Sequence, residues 1–547
     1  MAHKLIQAIN TWKNILGVDA VKTDAATLNS FENTTFKTKQ RVSAVLYPSS
    51  REDVRAILKI ANDHLVPLYP ISIGKNWGYG SRVPSQDGCA IVCLQALNQI
   101  IDYNEGLAYI TVEPGVTFQQ VKDYLEANKS QLIPPAIGSS PEASLIGNAL
   151  ERGIGKGTYG DRFAHSCAME IVLADGRIIE TGFGAFPNSH AAPIHKWGMG
   201  PSLDGLFSQS NFGIVTRMTF WLQPKPQHFQ TFLYTIKKPS SLKHVVNALR
   251  ILRLEGTLTA TATISNDYRI LSMQQQFPWN EAPQQIPLHK SYIEHKRRHF
   301  ANAVWVGDDA LLCSSPAMGK AAKKRIKQVL GPVVDKLVFI DKTKARWLTK
   351  FQKPIEYVTG IKLQQPLMLF KYSLYLGHYM IQQFRMCYWR KQSSIPAEMD
   401  LDKDRCGIIW CSPLVPFSGE HVMKALKILK DCYKHYQFEP NIGLNFLSNR
   451  SIAFTAAIIF DRDQPIEDEK ALACYHAMND TLEKNGYFAY RSGIQGTTHG
   501  HSYSPHYAKV LESLKTTFDP NNIIAPHKYG ITAPANEDQT IEWKQSA

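Results

Sequence analysis

Tyr69-Pro70-Ile71-Ser72-Ile73-Gly74-Lys75-Asn76-Trp77-Gly78-Tyr79-Gly80 sets three glycines within seven residues, directly after a strand-like run. Glycine lets the backbone turn sharply and aim successive N–H groups at one point, the arrangement a pyrophosphate needs. The stretch does not open a helix with Gly-x-Gly-x-x-Gly, and Lys75 lacks the flanking Gly and Ser or Thr of a Walker loop. By itself it is a glycine-rich turn.

Around it, short helices alternate with short strands as far as Pro226. Arg51 to Leu65 places Val54, Ile57, Leu58 and Ala61 on one helical face, and Phe118 to Ala127 does the same with Val121, Tyr124 and Leu125. Extended runs fall at Ala90–Leu94, Ala108–Val112 and Phe212–Leu222, and Asp175-Gly176 predicts a hairpin between Met169–Ala174 and Arg177–Thr181. From 227 to 485 the order changes. Helices near 241–254 and 318–330 precede strand 407–411, helix 420–435, strands 441–447 and 452–460, and helix 467–484, predicting an α+β unit with antiparallel strands and helices on one face. A helix at Tyr507–Thr517 and a Pro- and Asn-rich tail follow. The expected organisation is an α/β unit over 1–226, an inserted unit over 227–485, and a segment over 486–547 that returns to the first.

The 547 residues are 44% hydrophobic and 20% charged, as in folded multidomain proteins. Lys plus Arg (61) exceed Asp plus Glu (47), giving +14, which suits anionic ligands. The basic runs His295–His299 and Lys320–Lys327 are read as solvated helical faces, not as a nucleic-acid surface. No apolar run approaches the roughly 18 residues of a membrane span, and no secretory signal is read at Met1 to Ala20. A cytoplasmic location is therefore expected. The nine cysteines are scattered without paired metal spacing, predicting reduced thiols. His499, His501 and His506 lack a nearby Cys or acidic residue to complete a shell, so no metal site is expected. No Gly-x-Ser-x-Gly elbow points to a hydrolase.

Two further glycine-rich segments are Ser144-Leu145-Ile146-Gly147-Asn148-Ala149-Leu150-Glu151-Arg152-Gly153-Ile154-Gly155 and Gly205 to Val215. Together with Val112-Glu113-Pro114-Gly115-Val116-Thr117 and the tail Asp519 to Pro526, they resemble the vanillyl-alcohol oxidase and p-cresol methylhydroxylase family of flavoproteins. The likeness runs in order through residues 40–222 and 405–530. It implies FAD lying between two α/β subdomains, with the inserted antiparallel unit as a cap over the flavin ring. By motif match, Pro70, Ile71, Ser72, Ile73, Gly74, Lys75, Asn76 and Gly78 would cradle the diphosphate. Ser144, Gly147, Asn148, Glu151 and Gly155 would line the ribityl and adenosine side, with Ile214 and Val215 nearby. Lys528 would approach the pyrimidine edge, where a fixed cation stabilises the charge of the reduced ring.

The resemblance also implies that Tyr79, Tyr490 and Arg491 bind a phenolic oxygen as its anion, leaving an electron-rich ring from which hydride passes to flavin N5. Two departures stand beside this. The family's aspartate near N5 has no counterpart in the longer stretch Pro134 to Glu142, whose sole carboxylate, Glu142, is the replacement base if there is one. Lys156 stands where the oxidases place a tyrosine and adds a cation favouring an acidic substrate. The family's flavin-linking histidine falls at Ile408, and Asn76 and Trp77 occupy the glycine-loop position, so FAD is expected to be non-covalent, with Cys406 the alternative attachment point.

These features predict oxidation of an alcohol or para-substituted phenol, with reoxidation by oxygen or an electron-acceptor protein; a homodimer is allowed. Two alternatives stay open. One is an oxidase or dehydrogenase of hydroxy acids or sugars, with Arg491 and Lys156 holding a carboxylate. The other is a flavin-binding protein without turnover.

Overall fold

The computed structural model describes residues 2–282, 286–361, 363, 373–379, 382–497 and 503–534. Around the glycine loop, a four-stranded sheet runs in the order Val21–Lys22, Ala44–Leu46, Ala90–Cys93, Leu68–Ile71, with the last three parallel. Its strands are almost wholly buried because helix Arg51–His64 covers them. A capping box between Ser50 and Asp53 fixes the start of that helix, and Val54, Ile57, Leu58 and Ala61 are buried as its periodicity requires. The loop Ser72–Gly80 therefore leaves the C-terminal end of a parallel strand, where open α/β sheets hold ligands.

The second sheet has five antiparallel strands ordered Ile100–Asn104, Tyr109–Val112, Ile214–Trp221, Ser166–Val172, Ile178–Glu180. The Asp175-Gly176 hairpin lies where expected, with Gly176 at φ +83°. Helix Phe118–Ala127 packs into the same core as this sheet, which also takes in short helix Leu145–Leu150.

The third sheet, of eight strands, is antiparallel throughout and built between His228 and Asp461. Strands Cys406–Cys411, Asn441–Asn445 and Ser451–Asp461 and helices Gly419–His435 and Pro465–Lys484 lie where the sequence places them. Strands His228–Ile236, Thr263–Asn266, Trp305–Cys313 and Lys336–Ile340 were not foreseen. Period-two alternation splits the sheet's faces. Ile264, Ile409, Leu444 and Phe454 join the helix-covered core, while Thr263, Ser265, Ile408, Trp410, Asn445 and Thr455 face a cavity.

The C-terminal segment returns to the first sheet. Leu68 N–H donates to Ile523 O (2.7 Å) and Ala525 N–H to Leu68 O (2.7 Å). Lys515, completely buried, is ion-paired with Asp519 (2.6 Å) and donates to the carbonyls of Asn211 (2.8 Å) and Ile524 (2.9 Å), pinning the turn that carries Lys528. All nine cysteines are free thiols. Among the described residues, no helix is long and apolar enough to cross a membrane, and no group of three or more His, Cys, Asp or Glu is placed to hold a metal. His506 is exposed, and His499 and His501 lie outside the described residues.

Candidate active site

A cavity of about 800 Å³ opens where the two small sheets meet the eight-stranded one. Its walls include Pro70 to Asn76, Ser144, Gly147, Asn148, Glu151, Gly155, Ile214, Val215 and Lys528, together with Tyr79, Tyr490 and Arg491. Segments more than 400 residues apart in sequence thus meet at one space, as in the contact of Arg491 with Asn76.

The diphosphate side fits an anion on this structure's own terms. The backbone N–H groups of Ile73, Gly74, Lys75 and Asn76 donate to nothing else among the described residues, leaving four consecutive donors on the cavity wall. Asn148 Oδ1 is buried without a partner and borders the same space. Ser144 caps its short helix by accepting from Gly147 N–H (2.9 Å) while donating to Pro114 O (2.7 Å). These residues would hold FAD. Lys528 Nζ sits 2.6 Å from Glu151 Oε1, and Tyr529 donates to Glu151 Oε2 (2.7 Å). Burial alone would raise the Glu151 carboxyl, but Lys528 and Arg491 outweigh it and hold the group below its usual range. The Lys528 cation is accordingly shared with an internal carboxylate.

Deeper in, the Arg491 guanidinium stacks 4.0 Å from the Tyr79 ring centroid and donates from Nη2 to Asn76 Oδ1 (2.7 Å). Burial works against its charge, yet its pKa is raised above the ordinary arginine value, with the ionised Glu151 a fixed negative charge that favours it. Burial also pushes both tyrosines upward, outweighing the lowering effect of Arg491, so Tyr79 and Tyr490 stay protonated donors. Tyr79 Oη lies 2.8 Å from Ser412 Oγ, and Arg491 Nε is buried without a partner.

Four expectations need correcting. Glu142 is exposed and does not line the cavity, whereas Gly138 and Ser139 do; the stretch turns its carboxylate to the surface, away from any reacting atom. Gly78 is a packing point and not part of the cradle. Its N–H donates to Thr35 Oγ1 (3.0 Å), and a Cβ there would stand 2.2 Å from the Trp410 ring. Lys156 lines the cavity but is neutralised by Asp308 (3.0 Å) and bonded to Tyr375 Oη (3.2 Å), so it brings no free cation. Cys406 is completely buried outside the cavity wall with its thiol pushed up by burial, while Ile408 does line it.

Several lining residues escaped the sequence reading, among them Arg269, Trp410, Thr455, Asn445 and Cys387. Trp410 Nε1 donates to Trp77 O (3.2 Å) and so ties the cap sheet to the glycine loop.

Comparison with known proteins accounts for this arrangement. The FAD binding domain family matches residues 42–182. The 1'-carboxy-chondrochloren decarboxylase of Chondromyces crocatus is 41% identical over 96% of this chain and 97% of its own length. The 4-cresol dehydrogenase [hydroxylating] flavoprotein subunit of Pseudomonas putida is 30% identical over 96% of this chain and 95% of its own. The crystal structure of p-cresol methylhydroxylase with substrate bound superposes with a TM-score of 0.87, covering 97% of this chain and 98% of that one at 28% identity. The chain belongs to the vanillyl-alcohol oxidase and p-cresol methylhydroxylase family and is an FAD-dependent oxidoreductase.

Proposed function

We propose that the enzyme oxidises a para-substituted phenol at the carbon attached opposite the hydroxyl. The cluster of Tyr79, Tyr490 and Arg491 carries this reading. Two protonated phenols and a buried guanidinium offer donors and positive charge to one oxygen, which strengthens a bound phenol as an acid. The resulting phenolate pushes electron density to the para carbon and eases loss of hydride from it. The residues named above would hold FAD, which when bound would supply the two-electron acceptor for that hydride. The chain's own groups bind and orient the anion, the phenol's proton being released to solvent; both tyrosines, kept protonated by burial, act as donors to the anion and do not take up that proton. The likeness to p-cresol methylhydroxylase and to the 4-cresol dehydrogenase subunit supports a phenol over a hydroxy acid or sugar. The latter relative is named as a subunit, so an electron-acceptor partner belongs to this reading. The Chondromyces relative is named for removing a 1'-carboxyl, which puts carboxylated side chains among the substrates to try.

Anaerobic mixing with 4-ethylphenol should bleach the flavin absorbance. Tyr490→Phe and Arg491→Ala should each slow that bleaching by about 10²–10³-fold. Full rates in both variants would overturn the reading.

A further inference from the structure

Most charges around the cavity are accounted for within the chain. Among the described residues, the carboxylates lining it are Glu151 and Asp308, which pair with Lys528 and Lys156. Lys75 lies 3.8 Å from Asp400, and Lys296 lies 3.5 Å from Glu281. Arg269 differs. It projects from helix Asp267–Gln274 beneath the cap sheet and lines the cavity, yet it has no carboxylate at salt-bridge distance among the described residues. Nη1 alone is satisfied, by Thr455 O (3.1 Å) and Asn441 Oδ1 (3.3 Å). Nε is buried without a partner, and no bond of Nη2 is found among the described residues.

Space has been made for this group. Gly443 faces it, and a Cβ there would sit 3.2 Å from the guanidinium carbon. The guanidinium lies 5.6 Å from the Trp410 ring centroid, and Trp410 packs on Gly78, the residue before Tyr79. Arg269 is therefore one indole removed from the loop that carries the phenol-binding tyrosine. Its burial pushes it down to about 10, still a cation at neutral pH. A cation half-buried in a cavity wall, with its Nε wholly out of solvent and no counter-charge beside it, is costly, so an anion belongs there.

We infer that Arg269 binds a carboxylate on the substrate's side chain, and that loss of CO2, not addition of water, completes the reaction. This rests on the phenol reading above. Hydride leaves the benzylic carbon with both C–H electrons for FAD, and the substrate becomes a quinone methide. The bond to the carboxylate then breaks, its electron pair forms the side-chain alkene, the ring regains its phenolate, and CO2 departs. For 3-(4-hydroxyphenyl)propanoate the products are 4-vinylphenol, one CO2 and FAD reduced by one hydride. This sequence needs no base to activate water, in keeping with Glu142 lying at the surface and with both lining carboxylates being tied to lysines.

The test uses the FAD-loaded protein with 3-(4-hydroxyphenyl)propanoate, 4-propylphenol and 3-phenylpropanoate. By anaerobic calorimetry the wild type should bind the hydroxylated acid at least about tenfold more tightly than 4-propylphenol. Arg269→Met should weaken the acid by about 100-fold while moving 4-propylphenol by less than about threefold, and Arg269→Lys should keep part of the preference. Turnover in ¹⁸O-labelled water should give 4-vinylphenol that carries no label, with one CO2 released per flavin reduced. Equal affinities in the wild type, an unchanged preference in Arg269→Met, or a hydroxylated product that keeps its carboxyl would each overturn the inference. The wild-type affinities and products decide it even if the variants do not fold. Equal binding of 3-phenylpropanoate and its 4-hydroxy counterpart would instead defeat the phenol reading, while the carboxylate preference would still report on Arg269.

Discussion

Arg491 shows how one side chain is fixed by three neighbours of different kinds. Asn76 accepts its hydrogen bond, the Tyr79 ring lies under its plane, and Glu151 lies within electrostatic reach. Tyr490→Phe and Arg491→Ala should therefore depress turnover far more than FAD content, which flavin absorbance per protein measures. Gly78→Ala tests packing instead. A side chain at φ +80° and 2.2 Å from Trp410 should cost about 2–5 kcal/mol and lower the thermal midpoint. An unchanged midpoint would show that the loop and Trp410 do not meet as described. At this scale the glycine loop, Ser144, Asn148, Lys528, Tyr79, Tyr490 and Arg491 were singled out by the family resemblance, and all of them line one cavity. Arg269 was not legible, because an arginine on an amphipathic helix reads as solvated until the fold turns it inward.

Among the elements, helices were read most faithfully: Arg51–His64, Phe118–Ala127 and Gly419–His435 each carry an unbroken apolar face. The strands missed in the cap explain themselves. Trp305–Cys313 contains Gly307, Asp308 and Asp309, which break any hydrophobic alternation, and those acids are the groups turned toward Lys156 and Arg253. Thr263–Asn266 is only four residues long and polar on its cavity face. The returning tail depends on the buried Lys515–Asp519 pair. Asp519→Ala strands the lysine charge and removes acceptors for Ile523 and Ile524 N–H, so it should destabilise by about 3–5 kcal/mol and weaken FAD binding through the displaced Lys528 turn. Chemical denaturation and FAD titration check the two effects separately.

For the molecule as a whole, the charge balance of the interior predicts a pH dependence. Burial pushes Asp402, between Ser81 and Trp77, and Asp309, near Arg253, up to about 7 each. Between about pH 4 and pH 7 the folded chain keeps these protons while the unfolded chain has released them. Stability contributed by each group should therefore fall as pH rises through that window, by up to about 1.4 kcal/mol per pH unit. Asp402→Asn and Asp309→Asn should flatten the slope of unfolding free energy against pH; an unaltered slope would place those carboxylates in water. The two-part architecture with an antiparallel cap was legible from the order of helices and strands. How the cap distributes charge over the cavity was not, because it depends on which face of each strand looks inward.

The central claim is that Tyr79, Tyr490 and Arg491 hold a phenol as its anion. The direct measurement is an absorbance pH titration of 4-hydroxybenzaldehyde bound to the FAD-loaded enzyme, compared with the free ligand and with Arg491→Ala. Binding should make the phenol at least about a hundredfold stronger acid, and the Arg491→Ala variant should abolish most of this gain. A bound ligand that titrates as it does free in solution would contradict it.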